Sequence, residues 1–137
     1  MATINLALNI QVVGGPTVLI SKSKSVQAYD KIEVAIEANA DSEPKSVEVQ
    51  PGSADDVSFL LIKSSVYSSD IKYVVKEVKD EEPDPTTEIA LDEPHLYLGK
   101  GAISALGKSP KILTFTNSTT TKTPAAIEIL VGRDATP

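Results

Sequence analysis

Asp55-Asp56-Val57-Ser58-Phe59-Leu60-Leu61-Ile62-Lys63 is the stretch whose reading decides the fold. Two acids open it, a lysine closes it, and the run between them is apolar on both alternating faces. It is too short for a membrane helix, and its Val, Phe and Ile content favours a strand covered on both faces. Such a strand needs neighbours on both sides. It is expected as the interior strand of a two-layered β-fold.

Upstream, Ile4, Leu6, Leu8, Ile10 and Val12 alternate with Asn5, Ala7, Asn9 and Gln11, the period of a half-buried strand. Gly14-Gly15-Pro16 combines positive-φ freedom with a fixed φ, which suits a turn into Thr17-Val18-Leu19-Ile20 and a hairpin of the first two strands. The alternating Ser21-Lys22-Ser23-Lys24-Ser25 can continue the second strand along a solvated edge, where lysines discourage edge-to-edge pairing. The next strand sets Ile32, Val34, Ile36 and Ala38 inward against Lys31, Glu33 and Glu37. A short strand at 46–50 and the breaker Pro51-Gly52-Ser53-Ala54 lead to the central run.

Downstream, Ile71, Tyr73 and Val75 oppose Lys72 and Lys76 on a further strand. Prolines and clustered charge bar Lys79-Asp80-Glu81-Glu82-Pro83-Asp84-Pro85 from a strand interior. Strand patterns return at 86–91, 95–98, 111–117 (Leu113 and Phe115 inward) and 126–131, with one helical turn where Ala102, Ile103 and Leu106 share a face. The chain is thus read as all-β: an antiparallel β-sandwich of about nine strands, jelly-roll or Ig-like, with at most one short helical turn. Residues 1–132 are read as one sandwich domain and 133–137 as a flexible C-terminal tail. Leu60, Ile62, Val74 and Leu130 fall out of phase with these inward sets and are expected on the outer sheet faces, under loops or another subunit.

A chain of 137 residues can bury roughly 68% of the surface its unfolded form exposes, enough for a core without staples. The absence of Cys excludes disulfides, thiolate metal sites and a cysteine nucleophile. A net charge of −6 with a single Arg argues against a nucleic-acid surface. The N-terminus lacks the basic and unbroken apolar regions of a secretory signal, and no run approaches the ~20 apolar residues of a spanning helix, so a cytoplasmic protein with no membrane partner is expected. The charge is uneven: Asp80, Glu81, Glu82, Asp84, Glu88, Asp92 and Glu93 crowd one segment, whereas Lys100, Lys108, Lys111, Lys122 and Arg133 follow it with Glu128 alone. Solvated loops account for this, as do complementary patches meeting across a subunit contact.

Little in the chain points to catalysis. His95, the only histidine, lies near Asp92 and Glu93, an acid-base pair in principle; next to a proline turn it reads better as a surface or capping residue. No Gly-x-Ser-x-Gly elbow occurs, and Gly99-Lys100-Gly101 lacks the spacing of a phosphate cradle. Asp80 to Asp84 offers carboxylates to Ca2+ without the spaced loop pattern, and Asp55-Asp56 is a weaker option of the same kind. Asn117-Ser118-Thr119 matches a glycosylation acceptor in form only. No residue is therefore assigned as catalytic, cofactor-binding or metal-binding, and no cofactor is expected. By exclusion, the expectation is a non-enzymatic structural or assembly module that forms a homo-oligomer, as in a phage-like or cell-surface assembly. The alternative is a ligand- or carbohydrate-binding sandwich using Tyr29, Tyr67, Tyr73 or Tyr97.

Overall fold

The computed structural model describes residues 2–38, 44–50, 57–77, 87–107, 110–119 and 124–134. Ten antiparallel strands and one short helix follow in the order β1 (Ala2–Gln11), β2 (Thr17–Val26), β3 (Ala28–Ile36), β4 (Lys45–Glu48), β5 (Val57–Ser64), β6 (Ile71–Lys76), β7 (Ile89–Ala90), β8 (His95–Leu98), α1 (Lys100–Ser104), β9 (Ile112–Asn117) and β10 (Ala125–Arg133). Strands β3 to β10 form two four-stranded sheets, β3-β10-β5-β8 and β4-β9-β6-β7, while β1 and β2 pair only with each other. First strand beside last, second beside seventh, third beside sixth and fourth beside fifth is the strand order of a jelly roll. The all-β sandwich is thus present, with β5 in the interior of its sheet between β10 and β8.

The core lies between the sheets. Leu60 and Ile62 of β5 and Ile127, Ile129 and Val131 of β10 face Tyr73 and Val75 of β6 and Leu113 and Phe115 of β9, all buried. Ile103 of α1 and Leu91 close the same cluster. Leu60 and Ile62 therefore point inward, opposite to their expected direction. A run apolar at every position carries no phase of its own, and the β10 register slips between Gly132 and Arg133, so that Val57 and Phe59 both pair while Ser58 is passed over. The outer residues of β5 are Phe59, Leu61 and Lys63. Val74 and Leu130 do lie on outer faces: Val74 pairs with Thr114, and Leu130 pairs with Leu61 and Lys31.

The last strand runs past the boundary expected for the tail. Arg133 ends β10, and its guanidinium donates to the Val49 carbonyl at 3.3 Å and to the Asp30 carboxylate. An arginine held from both sheets belongs to the sandwich.

Candidate functional site

The most distinctive surface is the β1-β2 hairpin, an arm of two ten-residue strands. Its sequence explains its shape. Alternating apolar residues give β1 one greasy face, and the turn closes through Gly15 N–H to Val12 O at 2.8 Å and Val12 N–H to Pro16 O at 3.0 Å, with Gly14 at φ 76°. Directly opposed residues share a face, so the register Leu8↔Ile20 and Ile10↔Val18 unites the apolar positions of both strands. On the other face Ser23 donates to Asn5 Oδ1 at 2.8 Å.

The apolar face has two halves with different fates. At the root, Val26 is buried and Ile4 half-buried against the outer face of the β3-β10-β5-β8 sheet. Contact there is so close that a Cβ on Gly132 would come within 2.9 Å of Ile4 Cδ1, 3.1 Å of Val26 Cγ1 and 3.2 Å of Phe59 Cβ. Phe59 is thereby covered, which answers the need of β5 for a neighbour on its second face. Beyond the root, Leu8, Ile10, Val12, Val18 and Ile20 continue the same stripe at 37–55% exposure; Val13 at the turn is 97% exposed, and Leu19, opposite Asn9 on the other face, is 71% exposed. Lys22 and Lys24 stand on this face between the two halves, opposite Leu6 and Ile4.

The second feature is a polar chain through the end of the sandwich. Tyr73 of β6 is fully buried, and its hydroxyl lies 2.7 Å from His95 Nδ1 and 2.8 Å from the Tyr97 hydroxyl, both on β8 of the opposite sheet. Asp92 Oδ1 stands 3.7 Å from His95 Nε2. The tautomer of His95 sets which partner donates in the Tyr73–His95 contact, and either hydroxyl can donate in the Tyr73–Tyr97 contact. Burial, then the Tyr97 hydrogen bond, pushes the Tyr73 hydroxyl well above the ordinary tyrosine range. The group is held neutral and ties the two sheets together. Tyr73 itself is closed to solvent, whereas His95 and Tyr97 are half-buried.

The remaining candidates separate accordingly. His95 does meet Asp92; its stronger partner, Tyr73, is distant in sequence, and only the inward phase of Tyr73 on β6 signalled the meeting. Of the four tyrosines, Tyr73 and Tyr97 are spent on this network, and Tyr67 accepts from the Ser64 N–H at 3.1 Å. Tyr67 and Tyr97 are half-buried, and Tyr29 is exposed, at 57%. Asn117 is 1% exposed, donates to Ile36 O and accepts from the N–H and hydroxyl of Thr119, so its amide is a structural cap rather than an accessible acceptor. Asp55-Asp56 and the acidic stretch Asp80 to Asp84 lie outside the described residues. Among the described residues, no three His, Asp or Glu side chains gather as a metal site, and no helix is long and apolar enough to cross a membrane. Comparison with known protein families, curated proteins and solved structures finds no match.

Proposed function

We propose that this protein is a non-enzymatic structural subunit that assembles with copies of itself through the β1-β2 arm. The observation that carries the reading is the distal half of the arm: five apolar side chains, Leu8, Ile10, Val12, Val18 and Ile20, lie side by side on one face and stay 37–55% exposed. A two-stranded hairpin is marginal on its own in water, and a contiguous apolar patch of this kind marks an interaction surface. Covering the exposed half of each side chain is worth about 1 kcal/mol, or roughly 5 kcal/mol for the face. Association itself costs about 4–15 kcal/mol, so a single arm contact is weak. An assembly in which every copy gives an arm and receives one multiplies the contact, and the expected product is a closed oligomer or a regular array.

Light scattering after size exclusion tests the reading. The unaltered chain is expected at a defined multiple of its own mass, and a chain with Leu8, Ile10, Val18 and Ile20 all changed to Thr is expected at the mass of one chain. Threonine keeps the strand preference while removing the apolar face, so the variant retains its circular dichroism spectrum. A multiple unchanged in the variant would defeat the proposal.

A second reading, ligand binding, draws on one feature: a crevice of about 400 Å³ between the arm root and the sheet, lined by Ala2, Thr3, Ile4, Tyr29 and Leu130. It predicts a one-chain mass and a thermal shift on adding a sugar that stacks on Tyr29.

A further inference from the structure

The apolar surface that a second copy of this chain offers the arm is, above all, its own arm. Among the described residues every exposed large apolar side chain lies between Leu8 and Ile20, Tyr29 excepted. Charged groups of the sandwich are engaged with one another instead. On β3 and β10, Lys31 lies 3.4 Å from Glu33 and 3.2 Å from Glu128, and Lys63 of β5 lies 3.8 Å from the same Glu128. Lys72 of β6 stands 3.7 Å from Glu88. Laying a leucine or isoleucine over such groups strips their water without replacing its hydrogen bonds, whereas an apolar face laid on an apolar face costs neither side a hydrogen bond.

The order of rows along the arm decides how two such faces meet. On the face that carries the stripe the rows from root to tip are Ile4/Lys24, Leu6/Lys22, Leu8/Ile20, Ile10/Val18 and then Val12. Successive rows are two residues apart along the strand, about 6.7 Å. The last three are uncharged, and the two before them carry a lysine each. Arms laid together in the same direction bring these lysines to one level and bring the two bodies together as well. Residues 2–26 contain Lys22 and Lys24 and no Asp or Glu, so the arm stands at +2; against −6 for the whole chain, the remainder stands at −8. Like charge of that size opposes a parallel pair. Arms laid in opposite directions and centred on the Ile10/Val18 row avoid both conflicts. The Val12 row of each then covers the Leu8/Ile20 row of the other, and each Lys22 falls beyond its partner's turn. The two Lys22 rows stand about 27 Å apart, several Debye lengths.

Resting on the assembly reading above, we infer that two copies pair through their arms, face to face and running in opposite directions about a two-fold axis at the Ile10/Val18 row. The contact is isologous: Ile10 meets Ile10, Val18 meets Val18, and Val12 of each copy meets Leu8 of the other. One contact covers both stripes and closes at two chains. Five side chains a side fall short of the roughly 20–30 residues of a standard interface, so the pair is expected to separate on dilution.

The chain has no cysteine of its own, so single introduced cysteines report the register. Leu8→Cys, Ile10→Cys, Val12→Cys and Leu19→Cys replace exposed side chains with a small apolar one, and circular dichroism checks that each folds. Each is treated with a bis-maleimide too short to span two rows, at a protein concentration where light scattering finds the unaltered chain at twice its own mass. Ile10→Cys is expected to link to the two-chain mass by itself. Val12→Cys and Leu8→Cys are expected to stay at one-chain mass separately and to link when mixed, and Leu19→Cys, on the other face, is expected not to link. Self-linking of Val12→Cys and of Leu8→Cys would show arms running in the same direction and overturn the inference. So would the absence of any link, or an unaltered mass that is a multiple other than two. The assembly reading survives those results provided the threonine arm variant still falls to one-chain mass. A one-chain mass for the unaltered protein at every concentration would overturn both.

Discussion

Tyr73 concentrates the polar chemistry of the core in one atom. Its hydroxyl joins His95 and Tyr97 across the sheets and titrates far above an exposed tyrosine because burial disfavours the phenolate. In the unfolded chain the same group ionises near pH ~10. Its folded value is raised, so its contribution to stability is complete below pH ~10 and is lost as pH rises above it. The unfolding free energy is expected to fall there by about 1.4 kcal/mol per pH unit through this residue. Lys31, also raised by its glutamates, acts in the same direction at the surface. Denaturant titrations of the unaltered chain and of Tyr73→Phe across alkaline pH separate the two. The variant is expected to start about 1–3 kcal/mol less stable, with His95 and Tyr97 left unmatched, and to decline less steeply above pH ~10. Equal slopes would place the alkaline sensitivity elsewhere. The inward phase of Tyr73 was legible in its own strand; its partners were not, because nothing in a sequence says which strand of the opposite sheet lies across from it.

Among the elements, the arm is held by a small cluster, Ile4, Val26 and Phe59 around Gly132, separate from the main core. Gly132 is required there by proximity rather than by backbone angle. In Gly132→Ala the terminal methyl of Ile4 can yield, but Phe59 Cβ is fixed to β5 at 3.2 Å, so the arm root has to lift. Overfilling of this kind costs about 1–3 kcal/mol, and it falls on the arm because the core between the sheets is untouched. Faster amide exchange across β1 and β2, with β6 and β9 still protected, is the expected signature; uniform exchange throughout would show that the arm is not rooted at Gly132. The arm's strands, turn and lysine edge were all legible from period and turn chemistry. The phase of β5 was not, since Phe59, Leu60, Leu61 and Ile62 are equally apolar and a bulge at Ser58 chooses between them.

At the scale of the whole molecule, two kinds of contact compete in the proposed assembly. The apolar face is worth roughly 5 kcal/mol and each exposed ion pair about 0.2–1 kcal/mol. Salt screens the second and spares the first. The assembled mass is therefore expected to persist from low to high salt. Light scattering over a salt series checks this, and dissociation to one-chain mass in high salt would assign the contact to charge instead. The charge asymmetry seen in sequence between the acidic 80–93 segment and the basic residues after it is partly spent within the chain. Arg133 binds Asp30, Lys100 lies 3.9 Å from Asp134, and Glu88 lies 3.7 Å from Lys72.

From its sequence alone this protein was determined to be a cysteine-free chain of alternating strands, with a hairpin at its start and a doubly apolar strand inside a sheet. These features follow from local periods and turn residues, which act within a few positions of the chain. Tertiary structure alone decided that the strands close as a jelly roll, that Tyr73 finds His95, and that the hairpin leaves the sandwich with half of its apolar face uncovered. Each of these depends on which distant residues come to lie opposite one another, and alternation marks a face as apolar without saying what will cover it.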